Sequence, residues 1–364
     1  MILMISVYIH IPFCSNICSY CDFSKVYYNE SYVEKYLKSL ENEIKSRYKG
    51  EKVKTLYIGG GTPSSLTINE LKQLFKIINI FNLNDDYEFT IEANVENLNV
   101  EKIELFKENK VNRVRLGVQT FDKDNLIYLN RKHTKNDVFN CIKMLKENNI
   151  KNINIDLIYG IDNDLEKIKK DIEYFIELDI PHLSCYSLIL EDNTMLNNKN
   201  TTYIDEEIEY EMYKYIEKTL EENDYIHYEI SNYAKNGYES KHNLVYWNNE
   251  YYYGFGLSSV SFIDDYRITN TRNLTKYLNS VSEQEKEYEN TDLKMDNELM
   301  LGLRKIKGIN LANFKNKYNK DLEVIYDIDN LLKDKYLIIK DNHLKINKKY
   351  IYLSNEILLK IERK

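Results

Sequence analysis

The chain has 364 residues, of which 43% are hydrophobic and 30% are charged, so it is long enough for a large domain with one or two small ones. Its formal net charge of -8 argues against a general binder of nucleic acid or anionic membranes, because both need a basic face. No segment approaches the roughly 20 apolar residues of a membrane helix, so we expect a cytoplasmic protein without a transmembrane segment.

Six apolar, β-branched runs alternate with helical patterns in the first 200 residues. The runs are ISVYIHI (5–11), VKTLYIG (53–59), YEFTIEA (87–93), NRVRLGVQ (112–119), NINIDLIYG (152–160) and HLSCYSLI (182–189). Apolar residues three and four positions apart predict amphipathic helices between them, at 32–44, 68–78, 138–145 and 165–175. Repeated β/α units with short connections predict a parallel sheet, and six units favour a partial or full barrel.

The pattern changes after residue 200, where the β/α repetition stops. A long acidic helix is predicted first, and the aromatic-rich segment YEISNYAKNGYESKHNLVYWNNEYYYGFGLSS follows it. From about Asp292 helical patterns lead into two alternating strands, an order that resembles a small winged-helix module. We therefore predict an α/β chain in three parts: a barrel at 1–200, an α+β region at 201–290 and a winged-helix-like C-terminal domain at 291–364.

Three of the five cysteines follow the first predicted strand in the segment CSNICSYC. In a reducing compartment such a cluster indicates metal or catalysis before disulfides, and soft thiolate ligands favour an iron-sulfur cluster or zinc. A zinc site would take His10 or Asp22 as its fourth ligand. A cubane cluster on three cysteines would leave one iron with an open position. Cys141 and Cys185 fall in a predicted helix and strand and are expected to be core residues. The predicted metal ligands are Cys14, Cys18 and Cys21.

Glycines and unusual polar residues fall at or near the ends of the later strands. The loop GGGTPS (59–64) follows the second strand, and Tyr186 falls late in the sixth. The carboxyl ends of barrel strands form one face, on which active sites are built. Six separated segments are therefore predicted to meet at one cavity. The third, fourth and fifth strands contribute Glu92, Gln119 and Asp156 at or near their ends.

The segment CSNICSYC at the end of a first barrel strand resembles the cluster motif of the radical S-adenosylmethionine superfamily. The resemblance implies a partial (β/α)6 barrel of the TIM type, in which the three cysteines hold a [4Fe-4S] cluster and S-adenosylmethionine chelates the fourth iron. Reduction of the cluster can then cleave S-adenosylmethionine to a 5'-deoxyadenosyl radical in that family. Similarity to its coproporphyrinogen-dehydrogenase-like branch implies these S-adenosylmethionine contacts: Tyr8, Gly60, Gly61, Thr62, Glu92, Gln119, Arg131 and Asp156.

The segment HNLVYW (242–247) contains the only Trp of the chain. Its composition alone is typical of a packed aromatic segment with an exposed histidine. However, the pattern HNxxYW after YEISNYA resembles the haem-chaperone members of the same branch, which implies haem binding in the 201–290 region. His242 is then the candidate haem ligand, because a neutral imidazole is a normal ligand of haem iron. The implied partners are haem, a haem-acceptor protein and a reductant for the cluster.

Val260 stands where the family pattern has a histidine, which leaves His242 as the better candidate for the haem ligand. Two other departures bear on the choice of function. Phe23 stands where coproporphyrinogen oxidases carry a further cysteine. Those oxidases also have an N-terminal arm, whereas the first strand here begins almost at Met1. We therefore expect a haem chaperone. The alternatives are an oxygen-independent coproporphyrinogen III oxidase and a zinc-stabilised nucleic-acid binder, and the acidic charge opposes the second.

Overall fold

A computed structural model describes residues 4–192, 194–198, 203–279 and 284–364. Strands and helices alternate in its first part, with 3₁₀ turns at Pro63–Ser65 and Val95–Asn97. The strands of this part are β1 (Met4–Ile11), β2 (Phe13–Cys14), β3 (Val26–Tyr27), β4 (Lys52–Gly60), β5 (Asn82–Asn94), β6 (Arg113–Gln119), β7 (Asn152–Tyr159) and β8 (His182–Ser187). The helices are α1 (Glu30–Arg47), α2 (Ile68–Ile78), α3 (Val100–Glu108), α4 (Lys123–Tyr128), α5 (Lys135–Glu147) and α6 (Leu165–Glu177).

Side-chain caps fix where several of these helices begin. The Thr67 side chain accepts a hydrogen bond from the Glu70 N–H at the start of α2, and the Glu70 carboxylate accepts one from the Thr67 N–H. Thr134 and Asp137 make the same reciprocal pair at the start of α5. Such pairs satisfy two of the backbone donors that a helix start leaves unbonded, so they set the length of the loop before each helix.

Six parallel strands form the centre of one large sheet, in the order β1, β4, β5, β6, β7 and β8. Each successive strand lies beside the one before it, as β/α crossover connections favour. The prediction of a partial barrel of six parallel β/α units is confirmed. The carboxyl ends of all six strands lie on one face, so the loop after β1 and the loop after β4 are brought together there.

Strands from the middle of the chain extend this sheet at both edges. Beside β1, β11 is parallel and β12 to β14 follow antiparallel, while β10 and β9 continue antiparallel beside β8. The boundary predicted at residue 200 therefore does not separate two sheets. The elements of this part are α7 (Met195–Asn198), α8 (Glu206–Glu222), β9 (Ile226–Glu229), β10 (Asn232–Ala234), α9 (Lys241–Trp247), β11 (Tyr252–Phe255), β12 (Val260–Ile263), β13 (Tyr266–Asn270), α10 (Leu274–Leu278) and β14 (Gln284–Tyr288).

The last part of the chain has a hydrophobic core of its own, which includes Met295, Phe314 and Leu344. The hairpin β17–β18 pairs with β15 in a three-stranded sheet, and β16 pairs with β19. Helices followed by a hairpin are the order expected for a winged-helix-like module. Its elements are α11 (Thr291–Gly302), β15 (Ile309–Asn310), α12 (Leu311–Tyr318), α13 (Leu322–Ile325), β16 (Tyr326–Asp327), α14 (Asp329–Lys333), β17 (Leu337–Lys340), β18 (His343–Ile346), a 3₁₀ turn at Lys348–Leu353, α15 (Ser354–Leu358) and β19 (Glu362–Arg363).

The main hydrophobic core lies between the barrel strands and the helices packed on them. Ile9 of β1 and Ile58 of β4 belong to it, together with Val33 and Leu37 of α1 and Leu71 of α2. Cys141 and Cys185 are also buried there, as predicted. Within the described ranges, no helix is both long enough and apolar enough to cross a membrane.

Candidate functional site

The inner face of the barrel is lined by polar side chains. Along β6, Val114, Leu116 and Val118 lie in the hydrophobic core, while Arg113 and Arg115 alternate with them and face the interior. Strands of a parallel sheet are usually apolar on both faces because helices cover them. The alternation therefore marks an interior that holds charged groups.

The cysteine loop begins where β1 ends, and the parallel pair of β2 and β3 joins its two ends. Cys14 lies in β2, is buried, and accepts a hydrogen bond from the Thr62 hydroxyl at 3.4 Å. Burial raises the pKa of the Cys14 thiol to about 11. A metal bound at this position would deprotonate the thiol.

The glycine run at the end of β4 packs directly on the cysteine loop. Gly60 has a φ of +116°, and a Cβ there would lie 2.6 Å from the ring of His10. A Cβ on Gly61 would lie 2.7 Å from the backbone carbonyl of Pro12 and 3.0 Å from Cys14 Sγ. Glycine is required at both positions because the two segments meet without room for a side chain.

Arg131 links the second cysteine to the partly exposed carboxylate of Glu96. Its Nη1 donates to Cys18 Sγ at 3.5 Å, and its Nη2 donates to Glu96 Oε2 at 3.2 Å and to the Gly117 carbonyl at 2.6 Å. Burial alone would raise the pKa of Glu96, but a hydrogen bond from His133 and the charge of Arg131 lower it to about 2. The guanidinium therefore lies between two groups that are anionic when Cys18 is a thiolate.

A second polar network crosses the barrel interior. The Nε of Arg115 donates to both carboxylate oxygens of Asp156 at 2.8 Å, and its Nη1 lies 3.9 Å from Glu92. Glu92 accepts from the Tyr57 hydroxyl at 2.6 Å and from the Gly60 N–H at 3.1 Å. Burial raises the pKa of Glu92, and Arg115 and Tyr57 partly offset that rise. The positive charge of Arg115, on β6, thus balances two carboxylates from the strands on either side of it, β5 and β7.

Two buried polar atoms near the cysteine loop have no hydrogen-bond partner among the described residues: Gln119 Oε1 and Arg131 Nε. Gln119 also has a φ of +69° at the end of β6, a left-handed conformation that non-glycine residues seldom adopt. Buried groups without partners are rare in folded proteins and are commonly satisfied by a ligand or ion. This pair fits a polar ligand bound at the carboxyl ends of the strands.

His10 is not available to complete a zinc site. Its Nε2 donates to the Ser24 carbonyl at 2.7 Å, and its Nδ1 accepts from the Tyr8 hydroxyl at 3.0 Å. Throughout the part of the chain that the structure describes, no three His, Cys, Asp or Glu side chains converge on one ion. The ligands of a cluster bind separate irons and need not converge in this way. His10 therefore does not serve as the fourth ligand of a zinc site in this arrangement.

His242 lies inside the barrel instead of at the surface. It is 1% exposed, with Nδ1 hydrogen-bonded to the Thr55 hydroxyl and Nε2 to the Tyr246 hydroxyl, both at 2.8 Å. Its ring stacks on Tyr57 with centroids 4.9 Å apart. Burial lowers the pKa of His242 to about 3, so the imidazole is neutral. Ligation of haem by His242 would require at least one of these hydrogen bonds to break, and its role as ligand stays a prediction.

The HNLVYW helix α9 presents different residues on its two sides. His242 and Tyr246, one turn apart, face the barrel interior. Leu244 and Trp247 instead line a groove against the C-terminal module, where Arg304 lies over the Trp247 ring at 5.8 Å. The motif residues therefore do not form one aromatic pocket.

Most of the predicted residues are close neighbours at the carboxyl ends of the strands. Asn94 connects the glycine loop to strand β6. Its side-chain amide donates to Thr62 Oγ1 at 3.3 Å, and its side chain also lies against Gly117. The N–H of Cys21 donates to the Cys18 carbonyl at 3.4 Å. The predicted residues in these connected contacts are Tyr8, Cys14, Cys18, Cys21, Gly60, Gly61, Thr62, Glu92, Gln119, Arg131 and Asp156.

Sequence reasoning does not single out Tyr57, Glu96 or Arg115, although each holds one or more predicted site residues in place. Arg115 could have been found from the sequence, because it alternates with the apolar residues of NRVRLGVQ and therefore points to the opposite face of the strand. Glu96 could not, because its partners His133 and Arg131 are more than 30 residues away in the chain.

Comparison with known proteins identifies the family. The sequence model of the Radical SAM superfamily matches residues 8–175. The haem chaperone HemW of Lactococcus lactis is 38% identical over 98% of this chain and 96% of its own length, and that of Bacillus subtilis is 38% identical over 91% of both. The chain belongs to the HemW family. HemW of Escherichia coli is more distant, at 33% identity over 79% of each chain.

The solved structure of Escherichia coli coproporphyrinogen III oxidase (HemN), a radical SAM enzyme, resembles this HemW-family chain in fold. The TM-score is 0.85 at 21% sequence identity, and the match covers 98% of this chain and 89% of HemN. At that identity the likeness concerns the fold alone. The HemW relatives are much more similar in sequence, which favours the haem-chaperone interpretation over the oxidase alternative.

Proposed function

We propose that the protein is a cytoplasmic haem chaperone, which binds haem and passes it to an acceptor protein. The observation that carries this proposal is the 38% identity, over nearly the whole chain, to a relative named as a haem chaperone. The acidic net charge of -8 supports the expectation that nucleic acid is not a partner.

Cys14, Cys18 and Cys21 would hold a [4Fe-4S] cluster, and the residues around Glu92, Gln119 and Asp156 would hold S-adenosylmethionine. When bound and reduced, this pair supplies a radical-generating electron transfer in the superfamily. The chain's own residues supply charge balance and water exclusion, because the Cys14 thiol is buried and the Arg131 guanidinium faces Cys18.

The polar neighbours of the cysteine loop match the chemistry of S-adenosylmethionine. Its ammonium and ribose hydroxyls are donors for carboxylates such as Glu92, and its carboxylate is an acceptor for a guanidinium such as Arg131. The unpartnered Gln119 Oε1 offers one further acceptor. These assignments predict that the substitutions Glu92→Gln and Gln119→Ala weaken S-adenosylmethionine binding while iron content stays unchanged.

The coproporphyrinogen oxidase alternative is disfavoured by the residue that follows the motif. Phe23 has no thiol, and the residue is 71% exposed next to the cysteine loop. A turnover assay with coproporphyrinogen III under anaerobic conditions separates the two functions, since product formation would exclude the chaperone proposal.

The cluster assignment is tested by anaerobic purification with iron, sulfide and zinc analysis. Wild type should contain iron and sulfide in equal amounts and little zinc, and each of Cys14→Ser, Cys18→Ser and Cys21→Ser should lose the cluster. Cys141→Ser is the matched control, because that thiol is buried in the core with the Val95 carbonyl as its contact. Full iron content in all three loop variants would overturn the assignment.

A further inference from the structure

The groove between α9 and the C-terminal module has the size and the charge of a porphyrin site. Its volume is about 710 Å³, within the range of about 300–1,000 Å³ for small-molecule sites. Leu244 and Trp247 of the HNLVYW helix line one wall, and β15 and β18 supply residues of the other, including Asn310 and His343. The groove therefore brings the family motif against a part of the chain that the motif does not include.

His343 is the only histidine of the chain that is not buried. The chain has six histidines, all among the described residues, and five of them are 5% exposed or less: His10, His133, His182, His227 and His242. His343 lies at the groove, and its Nδ1 donates to the Asp341 carbonyl at 2.7 Å. Because a carbonyl can only accept, this hydrogen bond places the ring proton on Nδ1 and leaves the Nε2 lone pair of the neutral ring available to a metal.

The backbone around His343 holds the ring in place. Asp341 and Asn342 both have positive φ, at 51° and 59°, and form the two-residue turn between β17 and β18. Gly308 (φ +76°) packs so closely on β18 that a Cβ there would lie 2.1 Å from the Leu344 carbonyl. The ligand candidate thus sits at a tight turn on a packed strand, as a preorganised metal ligand requires.

The charges in the groove favour an anionic ligand. Lys305 and Lys307 line it together with Lys241, which is paired with Asp86. Lys305 Nζ donates to Asn248 Oδ1 at 2.5 Å, and neither Lys305 nor Lys307 has a carboxylate within 4 Å among the residues that the structure describes. Two groove carboxylates are already paired, Glu250 with Lys54 and Glu298 with Lys317. The third acidic residue of the lining is Glu239. Two such lysines suit a ligand that carries two carboxylates, as haem does.

We propose that haem binds in this groove, with His343 Nε2 as an axial ligand of the iron and with Lys305 and Lys307 paired to the propionates. This proposal rests on the proposed haem-chaperone function and assigns its ligand. It gives the HNLVYW motif a divided role: His242 and Tyr246 fill the barrel interior, and Trp247 covers the porphyrin. A single histidine on a surface hairpin also suits a carrier, since an acceptor can replace it without unfolding the barrel.

The test is a haem titration of the full-length, cluster-loaded protein, followed by absorbance and electron paramagnetic resonance. Wild type should show a histidine-ligated spectrum, and His343→Ala should lose it and bind at least about tenfold more weakly. His343→Met should bind haem with a new thioether-ligated spectrum, which loss of a merely structural residue would not produce. His242→Ala should keep the histidine-ligated spectrum.

The lysines are tested in the same titration. Lys305→Ala and Lys307→Ala should each weaken haem binding by about tenfold, the usual effect of losing one charge-assisted hydrogen bond. Lys333→Ala, an exposed lysine of the same module outside the groove, is the matched control and should bind as wild type. If wild type binds haem and both His343 variants retain its affinity and spectrum, the groove assignment is wrong while the chaperone function stands. If wild type binds no haem, both proposals fail.

Discussion

The substitution Arg115→Met tests whether the polar interior of the barrel depends on one guanidinium. Arg115 binds Asp156 through two contacts of 2.8 Å and lies 3.9 Å from Glu92, and the side chains of Arg115 and Asp156 are only 18% and 16% exposed. At an effective dielectric constant of about 20, unit charges about 4 Å apart attract by roughly 4 kcal/mol. Removing one member of a buried ion pair typically costs about 3–5 kcal/mol. We therefore expect Arg115→Met to lower the free energy of unfolding by about that amount.

The loss in free energy of unfolding caused by Arg115→Met should also depend on pH. Burial raises the pKa of Glu92, and Arg115 is the largest of the groups that lower it, so that pKa rises further in the variant. A carboxyl whose pKa is higher in the folded state binds more protons when folded, so its penalty appears as pH rises above the unfolded value of about 4.5. The deficit of Arg115→Met should therefore be larger at pH 8 than at pH 5.

The assay is urea unfolding at both pH values, followed by circular dichroism. Arg272→Met, an exposed arginine, is the control and should stay within about 0.5 kcal/mol of wild type. Adding Asp156→Asn to Arg115→Met removes one uncompensated charge and should restore part of the stability. The reasoning is refuted if Arg115→Met matches wild type at pH 8, or if the double variant is less stable than the single one.

Three further substitutions test other contacts. Gly61→Ala should displace the cysteine loop and destabilise the protein by about 1–3 kcal/mol, because its Cβ would overlap the Pro12 carbonyl, and iron content after reconstitution should fall with it. Glu96→Gln should destabilise the protein at pH 7 by about 1 kcal/mol, because solvent screens the partly exposed carboxylate. The difference from wild type should shrink as pH falls from about 4.5 towards 2, since this carboxylate has a pKa of about 2 in the fold. Equal losses of stability at pH 3 and pH 7 in thermal melts would contradict this. His242→Phe should make the free energy of unfolding less sensitive to acid between pH 6.5 and 3. The buried imidazole has a pKa of about 3, so as pH falls the unfolded chain binds a proton at His242 before the folded chain does, and this destabilises wild type. If the free energy of unfolding, measured in urea, changes with pH in the variant as it does in wild type, His242 is not neutral in the fold.

The strands of the barrel can be predicted from sequence because each is an apolar run bounded by helical patterns. Five of the six predicted runs end within one residue of the observed strands, and the sixth, 182–189, overshoots β8 by two. The end of a strand also fixes which residues reach the shared face. For that reason the amino-acid sequence alone assigns the cysteines, the glycine run and the strand-end acids to one site.

The partners of those residues cannot be predicted in the same way. The contact between Arg131 and Glu96 spans 35 positions, and its geometry depends on two loops that carry no periodic pattern. Composition predicts an exposed His242, but its side chain points into the barrel, where Thr55 and Tyr246 satisfy both ring nitrogens. The burial of His242 depends on contacts with residues far away in the chain, and the local sequence pattern around His242 does not predict it.

A haem titration followed by transfer tests the central claim most directly. The cluster-loaded chain is titrated with haem, and apomyoglobin is then added while the Soret band is recorded. The chaperone account predicts saturable binding of one haem per chain and movement of that haem to apomyoglobin. Absence of saturable binding, or haem that stays on the chain when acceptor is in excess, would contradict it.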